Sequence, residues 1–166
     1  MLGIGSLQFF IRNKPIRPAV PVVSVCKPLK SGMRRIGNQS GIQFDVSTSD
    51  LSIHDPVEDA PPFAHSVYLY RSHRKSYLGI FFGPLEFGQS TVADPDATFL
   101  THLEKNKILD QTGRAIGEEY WGYLNSGERC RRVWLFKAGI VAKYAFVSKE
   151  DAEIFDRVID SACLLP

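Results

Sequence analysis

His54, His65, His73 and His102 are the four histidines of this chain. None stands within three to five residues of another histidine or a cysteine, the spacing that would present two ligands to one zinc ion. Cys26, Cys130 and Cys163 are odd in number and far apart. They suggest neither a disulfide framework nor a metal site, and point to a reducing compartment. Gly-x-Ser-x-Gly is absent, and Gly79, Gly83 and Gly88 fit neither the dinucleotide fingerprint nor a phosphate loop. No catalytic residue, metal ligand or cofactor is therefore assigned.

Two basic clusters remain. Arg71, Arg74 and Lys75 stand in the polar stretch 71–76, and Arg129, Arg131 and Arg132 follow the aromatic pair Trp121 and Tyr123. Guanidinium forks match carboxylate and phosphate oxygens, so either cluster could grip an acidic partner. The competing reading of the second is a salt-bridged strand beside a turn. Glu118 and Glu119 are adjacent carboxylates, a pair that burial could tune apart for acid and base work. On a strand they point to opposite faces, which favours one solvated and one paired with an arginine.

These residues must be held by the elements around them. Residues 118–124 alternate Glu119, Trp121 and Tyr123 with Tyr120, Gly122 and Leu124, which is strand periodicity. The turn at 125–128 leads to a strand over 129–137, with Val133 and Leu135 on one face. Ala138-Gly139 then reverses into a strand over 140–147, with Ile140, Ala142, Tyr144 and Phe146 predicted to share a face. Ser148 can cap the following helix and Asp151 suits its positive end. Ala152, Phe155, Val158, Ile159, Ala162 and Cys163 form the apolar stripe, leaving Asp156 and Asp160 outside it.

Upstream, residues 66–70 and 77–82 read as a hairpin with a basic tip. Ile42, Phe44 and Val46 mark a strand expected to pair with the later meander, with Leu51 and Ile53 extending it or starting another. Asp94-Pro95 opens a predicted helix ending near Ile108, with Phe99, Leu100 and Leu103 as its apolar face. The fold class is α+β: an antiparallel sheet with helices packed on it and a closing C-terminal helix. Residues 1–40, proline-bearing, read as an extended or poorly ordered arm with one short strand over 21–25, and residues 41–166 as a single domain.

The chain has 166 residues, enough for a core without staples, and 20 basic against 18 acidic side chains give a net charge of +2. So small an excess makes nucleic acid the last partner to expect. No segment approaches the roughly 20 apolar residues of a membrane span. Pro15, Pro18 and Pro21 break the apolar start of the chain, so cytoplasmic location is expected, with a targeting extension as the competitor.

The order strand, hairpin, helix, meander and closing helix, with the motif Ala152-Glu153-Ile154-Phe155-Asp156-Arg157-Val158-Ile159-Asp160-Ser161, resembles the Mog1/PsbP-like group of α+β proteins. The resemblance covers residues 41–166 and implies a binding or accessory role. No catalytic motif of that group transfers onto these positions. The expected function is a noncatalytic protein-binding module, an accessory, chaperone or immunity-type factor of a bacterial secretion or toxin system. Its expected partner presents an acidic surface to the two basic clusters. The alternative is a small enzyme or ligand-binding protein with a pocket between sheet and helix, using His102, Glu119 and Arg132.

Overall fold

A computed structural model describes residues 15–37, 41–54, 65–71, 75–83, 100–136 and 138–166. Arg74, the tip residues around it and Asp94 to Phe99 lie outside the described residues. In chain order the elements are β1 (Ser24–Val25), β2 (Met33–Gly37), β3 (Ile42–Ser47), β4 (Leu51–His54), β5 (His65–Arg71) and β6 (Tyr77–Phe82). They continue as β7 (His102–Leu109), β8 (Ala115–Tyr123), β9 (Arg129–Leu135), β10 (Ile140–Val147), α1 (Lys149–Asp160) and β11 (Cys163–Leu164).

The predicted meander is present as β8, β9 and β10, antiparallel neighbours in a seven-stranded sheet of order β4-β5-β6-β10-β9-β8-β7. Gly127 takes φ 92° in the β8–β9 turn and Gly139 takes φ 61° before β10, conformations that a side chain disfavours. The hairpin is present as β5 and β6, paired from His65↔Phe82 to Tyr70↔Tyr77. Ser148 caps α1, its hydroxyl accepting from the Asp151 backbone N–H at 3.2 Å.

A second, four-stranded sheet has the order β1-β11-β3-β2. Here β3 corrects the expectation that it would join the meander: it pairs antiparallel with β2 and β11 instead. Its alternating Ile42, Phe44 and Val46 are buried against the larger sheet, with Phe44 edge-on to Phe82 at 6.3 Å between ring centres. Met33–Gly37, expected within an extended arm, is paired residue for residue with β3. Arg35 locks that pairing by donating to Asp45 at 2.7 Å.

Helix α1 packs against β3, β9 and β10, so one apolar cluster joins the helix to both sheets. The fold is thus mostly β, with two largely antiparallel sheets and one helix among the described residues, a looser match to α+β than the sequence implied. The helix expected to run to Ile108 is corrected over its second half, because His102–Leu109 is strand β7 at the edge of the large sheet. Leu100 and Leu103 mimic a helical stripe. The period that prevails is two, with His102, Glu104, Asn106 and Ile108 facing inward and Leu103, Lys105, Lys107 and Leu109 exposed. Lysines on such an edge also oppose further strand addition.

Cys26 and Cys163 form a disulfide with Cα atoms 4.8 Å apart, tying β1 to β11 across 137 residues of sequence. This corrects the reading that the cysteines pair with nothing, and removes the ground on which a reducing compartment was expected. Cys130 is the free thiol among the described residues; it is buried, and burial pushes its pKa up, so it is a packing group. No helix among the described residues is long and apolar enough to cross a membrane.

Candidate functional site

The pleat of β9 sends Arg131 and Arg132 to opposite faces of the large sheet, and the two faces differ in kind. Arg131 points inward and is fully buried. Its Nε donates to Glu119 at 2.8 Å and its Nη1 to Asp156 at 2.9 Å. Its Nη2 reaches Asp160 at 2.8 Å and the Ala19 carbonyl at 3.0 Å. Burial would lower the guanidinium pKa, but Asp156, Asp160 and Glu119 outweigh it and hold that pKa above its usual value. Burial pushes the Asp156 and Asp160 carboxyls up, against the pull of Arg131.

Tyr144 donates its hydroxyl to Asp156 at 2.9 Å, and Arg17 pairs with both Glu119 and Glu104. The stripe of α1 therefore includes Asp156, which the sequence reading had left outside it; the aspartate is buried because Arg131 and Tyr144 satisfy it. Glu119 follows the expected division: buried and paired with arginines, while Glu118 on the opposite face meets Lys105 at 3.1 Å. The network consumes the charges of Arg131 in holding helix, sheet and N-terminal segment together.

At the β7 end of this inner face His102 stacks on Tyr123 at 5.1 Å and shares a 2.7 Å hydrogen bond with Glu104. Trp121 and Arg129 are buried beside them, on the ladder positions Trp121↔Arg131 and Tyr123↔Arg129. Trp121 Nε1 and Arg129 Nε have no hydrogen-bond partner among the described residues. Arg71 also faces inward, its Nε donating to Asp151 at 3.1 Å and its Nη1 to the Asp50 carbonyl at 3.0 Å, so it anchors the start of α1.

The outer face carries Arg132, Lys143 and Lys75 around one cavity of about 340 Å³, with Ser76, Tyr77 and Ala145 to Val147 in its wall. Arg132 and Lys143 are direct ladder partners. The Arg132 guanidinium lies 4.3 Å from the centre of the Tyr120 ring, and burial followed by the charge of Arg132 lowers the Lys143 pKa. No Asp or Glu is among the described residues of the lining.

The cavity owes its rim to a bulge. Between the pairs Tyr144↔Arg131 and Val147↔Arg129, β10 takes three steps against two on β9, one residue extra. Phe146 absorbs it at φ 53°, a conformation rare for an aromatic residue, and its backbone N–H donates to Cys130 Sγ at 3.3 Å. Val147 is thereby turned inward and buried, while Phe146 is 44% exposed at the rim. This corrects the prediction that Phe146 shares the face of Ile140, Ala142 and Tyr144.

Of the sequence-predicted contact residues, Lys75, Arg131 and Arg132 line this cavity, although the Arg131 side chain is buried in the inner-face network. Arg71, Arg129, Arg131 and Trp121 lie on the inner face, at most 16% of their side chain or surface exposed, and Tyr123 is half-buried beside them. Lys143 and Phe146 were missed. The alternation of β10 signalled an outward Lys143, whereas nothing in the local sequence marks the bulge. Among the described residues no cluster of His, Cys, Asp and Glu could hold a metal ion. Compared with family models, curated proteins and solved structures, the chain matches none.

Proposed function

We propose that the protein is a noncatalytic binding module that engages an acidic surface of a protein partner through the outer-face cavity. The observation that carries this reading is the meeting of Lys75, just before β6, Arg132 of β9 and Lys143 of β10 around one opening bordered by the exposed ring of Phe146. Cations beside an exposed aromatic suit a protein contact, because the ring supplies buried area and the charges supply orientation and rate. An accessory, chaperone or immunity-type role in a bacterial secretion or toxin system, and membership of the Mog1/PsbP-like group, belong to the same proposal. They rest on the closing helix packed on an antiparallel sheet.

The enzyme or ligand-binding alternative loses its proposed trio, since Arg132 is on the opposite face from His102 and Glu119, and Glu119 is sealed by arginines. What favours it is the buried Trp121 Nε1 and Arg129 Nε beside His102, two donors available to an acceptor. The test is capture of the tagged full chain from its host, identification of what remains bound, and titration of the captured protein against wild type and a Lys75→Glu/Lys143→Glu variant. The expected result is a protein partner bound at least about tenfold more weakly by the variant, with an affinity that falls as salt rises. Equal affinity refutes the contact assignment, and a monomer retaining a small molecule refutes the module reading.

A further inference from the structure

Six residues from six different strands form a straight row across the outer face. Successive ladder partners run Tyr68, Gly79, Lys143, Arg132, Tyr120 and Lys105. The row has a tyrosine at one end, a missing side chain at Gly79, the cations Lys143 and Arg132 in the middle, and Tyr120 and Lys105 at the other end. Over that glycine lies a hollow of about 150 Å³, walled by Tyr68, Tyr77, Phe81, Val141 and Lys143. Tyr77 and Lys143 also line the larger cationic cavity, so the two are neighbours.

A volume of about 150 Å³ is the size that accepts one benzene ring. The hollow is open to the surface and walled mainly by rings and branched carbons, with Ser66 and Lys143 as its polar members and Tyr68 and Tyr77 edge-to-face at 5.7 Å. Lys143 closes the side towards Arg132. An aromatic group seated over Gly79 would therefore have two cations in a line beyond it. Neighbouring strands are about 4.8 Å apart, which sets Lys143 at one step from Gly79 and Arg132 at two, about 9.6 Å away. In an extended peptide, side chains on the same side recur about every 6.6 to 6.8 Å, between those two distances.

We infer that the partner segment is an extended acidic peptide bearing an aromatic residue, its ring in the hollow over Gly79 and a carboxylate two positions along held between Lys143 and Arg132. This deepens the proposed function and rests on its acidic-partner reading. A nucleic acid strand is the competing occupant, since stacked bases and phosphates make similar demands of rings and cations. The charge pattern favours the peptide: Lys143 and Arg132 are adjacent, whereas the third cation of the row, Lys105, lies beyond Tyr120 and is paired with Glu118, which leaves a short site for one ring and one or two anions. A strand of nucleotides would need the pattern repeated.

The test uses the full chain and three fluorescein-labelled probes in low-salt buffer. The first is a nonapeptide with one Trp followed at the second and fourth positions by Glu, the second is the same peptide with Ala for Trp, and the third is a ten-residue oligothymidylate. The Trp peptide should bind about tenfold tighter than the Ala peptide, the low end of what burying one ring contributes. Gly79→Val should erase that preference and leave the Ala peptide's affinity unchanged. Should valine disturb the fold, Gly79→Ala serves, because a Cβ there meets nothing nearer than 3.7 Å. Equal binding of the two peptides overturns the aromatic pocket and leaves the acidic-partner reading standing. No saturable binding of either overturns both, and tighter binding of the oligothymidylate assigns the face to nucleic acid and overturns the peptide.

Discussion

Breaking the Cys26–Cys163 bridge removes a covalent link between residues 137 apart in sequence. In the chain-entropy account, a closed loop of that length restricts the unfolded chain by an amount worth about 5 kcal/mol at room temperature. Native bridges in practice contribute about 2 to 5 kcal/mol, since the unfolded chain keeps some structure. The structure argues for the upper half of that range. The bridged strands β1 and β11 are two residues each, and among backbone contacts beyond their pairing is one hydrogen bond from Cys26 N–H to the Leu164 carbonyl at 2.8 Å. Besides the bridge, the segment is held by the buried Val23, by Arg17 on Glu119 and by the Ala19 carbonyl on Arg131.

The assay is urea unfolding followed by tryptophan fluorescence and circular dichroism, with and without dithiothreitol, and with a Cys26→Ser/Cys163→Ala variant. With a slope of about 2 kcal/mol per molar urea, a loss of about 3.5 to 5 kcal/mol lowers the midpoint by about 1.8 to 2.5 M. Alkylation in urea reports the bridge independently, with only Cys130 modified before reduction and all three cysteines after it. An unchanged midpoint in protein shown to be reduced refutes the entropic argument, and three modified thiols before reduction refute the bridge.

Arg131→Met should lose about 3 to 5 kcal/mol, because Asp156 is left buried without its cation and Glu119 keeps only Arg17. A shift in urea midpoint equivalent to less than about 1 kcal/mol would mean that water already satisfies those carboxylates. Burial, and then the charge of Asp156, pushes the Tyr144 phenol well above its ordinary value of 10.0, so the folded chain keeps a proton that the unfolded chain releases. Its contribution is full below pH 10 and declines as pH rises beyond it, by about 1.4 kcal/mol per pH unit. Tyr144→Phe should therefore be less stable than wild type at pH 7, by about 1.5 to 3 kcal/mol for a hydrogen bond to a charged group. It should also lose stability less steeply between pH 10 and 11, and parallel curves would sink the assignment.

Local chemistry made much of the frame legible. The meander reads from alternation because β8, β9 and β10 each bury one face, and Ser148 announces α1 because its hydroxyl has a free amide to accept from. Glu119 could be assigned to an arginine from the strand period alone. The failures come where distant groups override the local pattern. Asp156 and Asp160 stand four residues apart and look solvated, yet a guanidinium from β9 receives both. Residues 137 apart carry no local sign that they are bridged, and β3 chooses its neighbours through β11, which follows the helix. Phe146 fails for a subtler reason: a single inserted residue in the ladder reverses every later side chain.

That reversal bears on which activity the chain can support. An unbroken β10 would bury Phe146 and expose Val147, closing the rim of the outer cavity with a smaller group and leaving its cations without an adjacent ring. The observed strand instead holds a phenylalanine at positive φ, a conformation costing roughly 1 to 2 kcal/mol for a residue with a Cβ. Glycine at position 146 would avoid that cost, and the buried Val147 already supplies the inward packing. A ring kept outside the core at such a cost, beside Lys75, Arg132 and Lys143, is better explained by a contact made on the outer face than by the stability of the inner one. The inner face, where Arg131 is bonded to Glu119, Asp156 and Asp160, supplies the rigid backing against which the outer face stands.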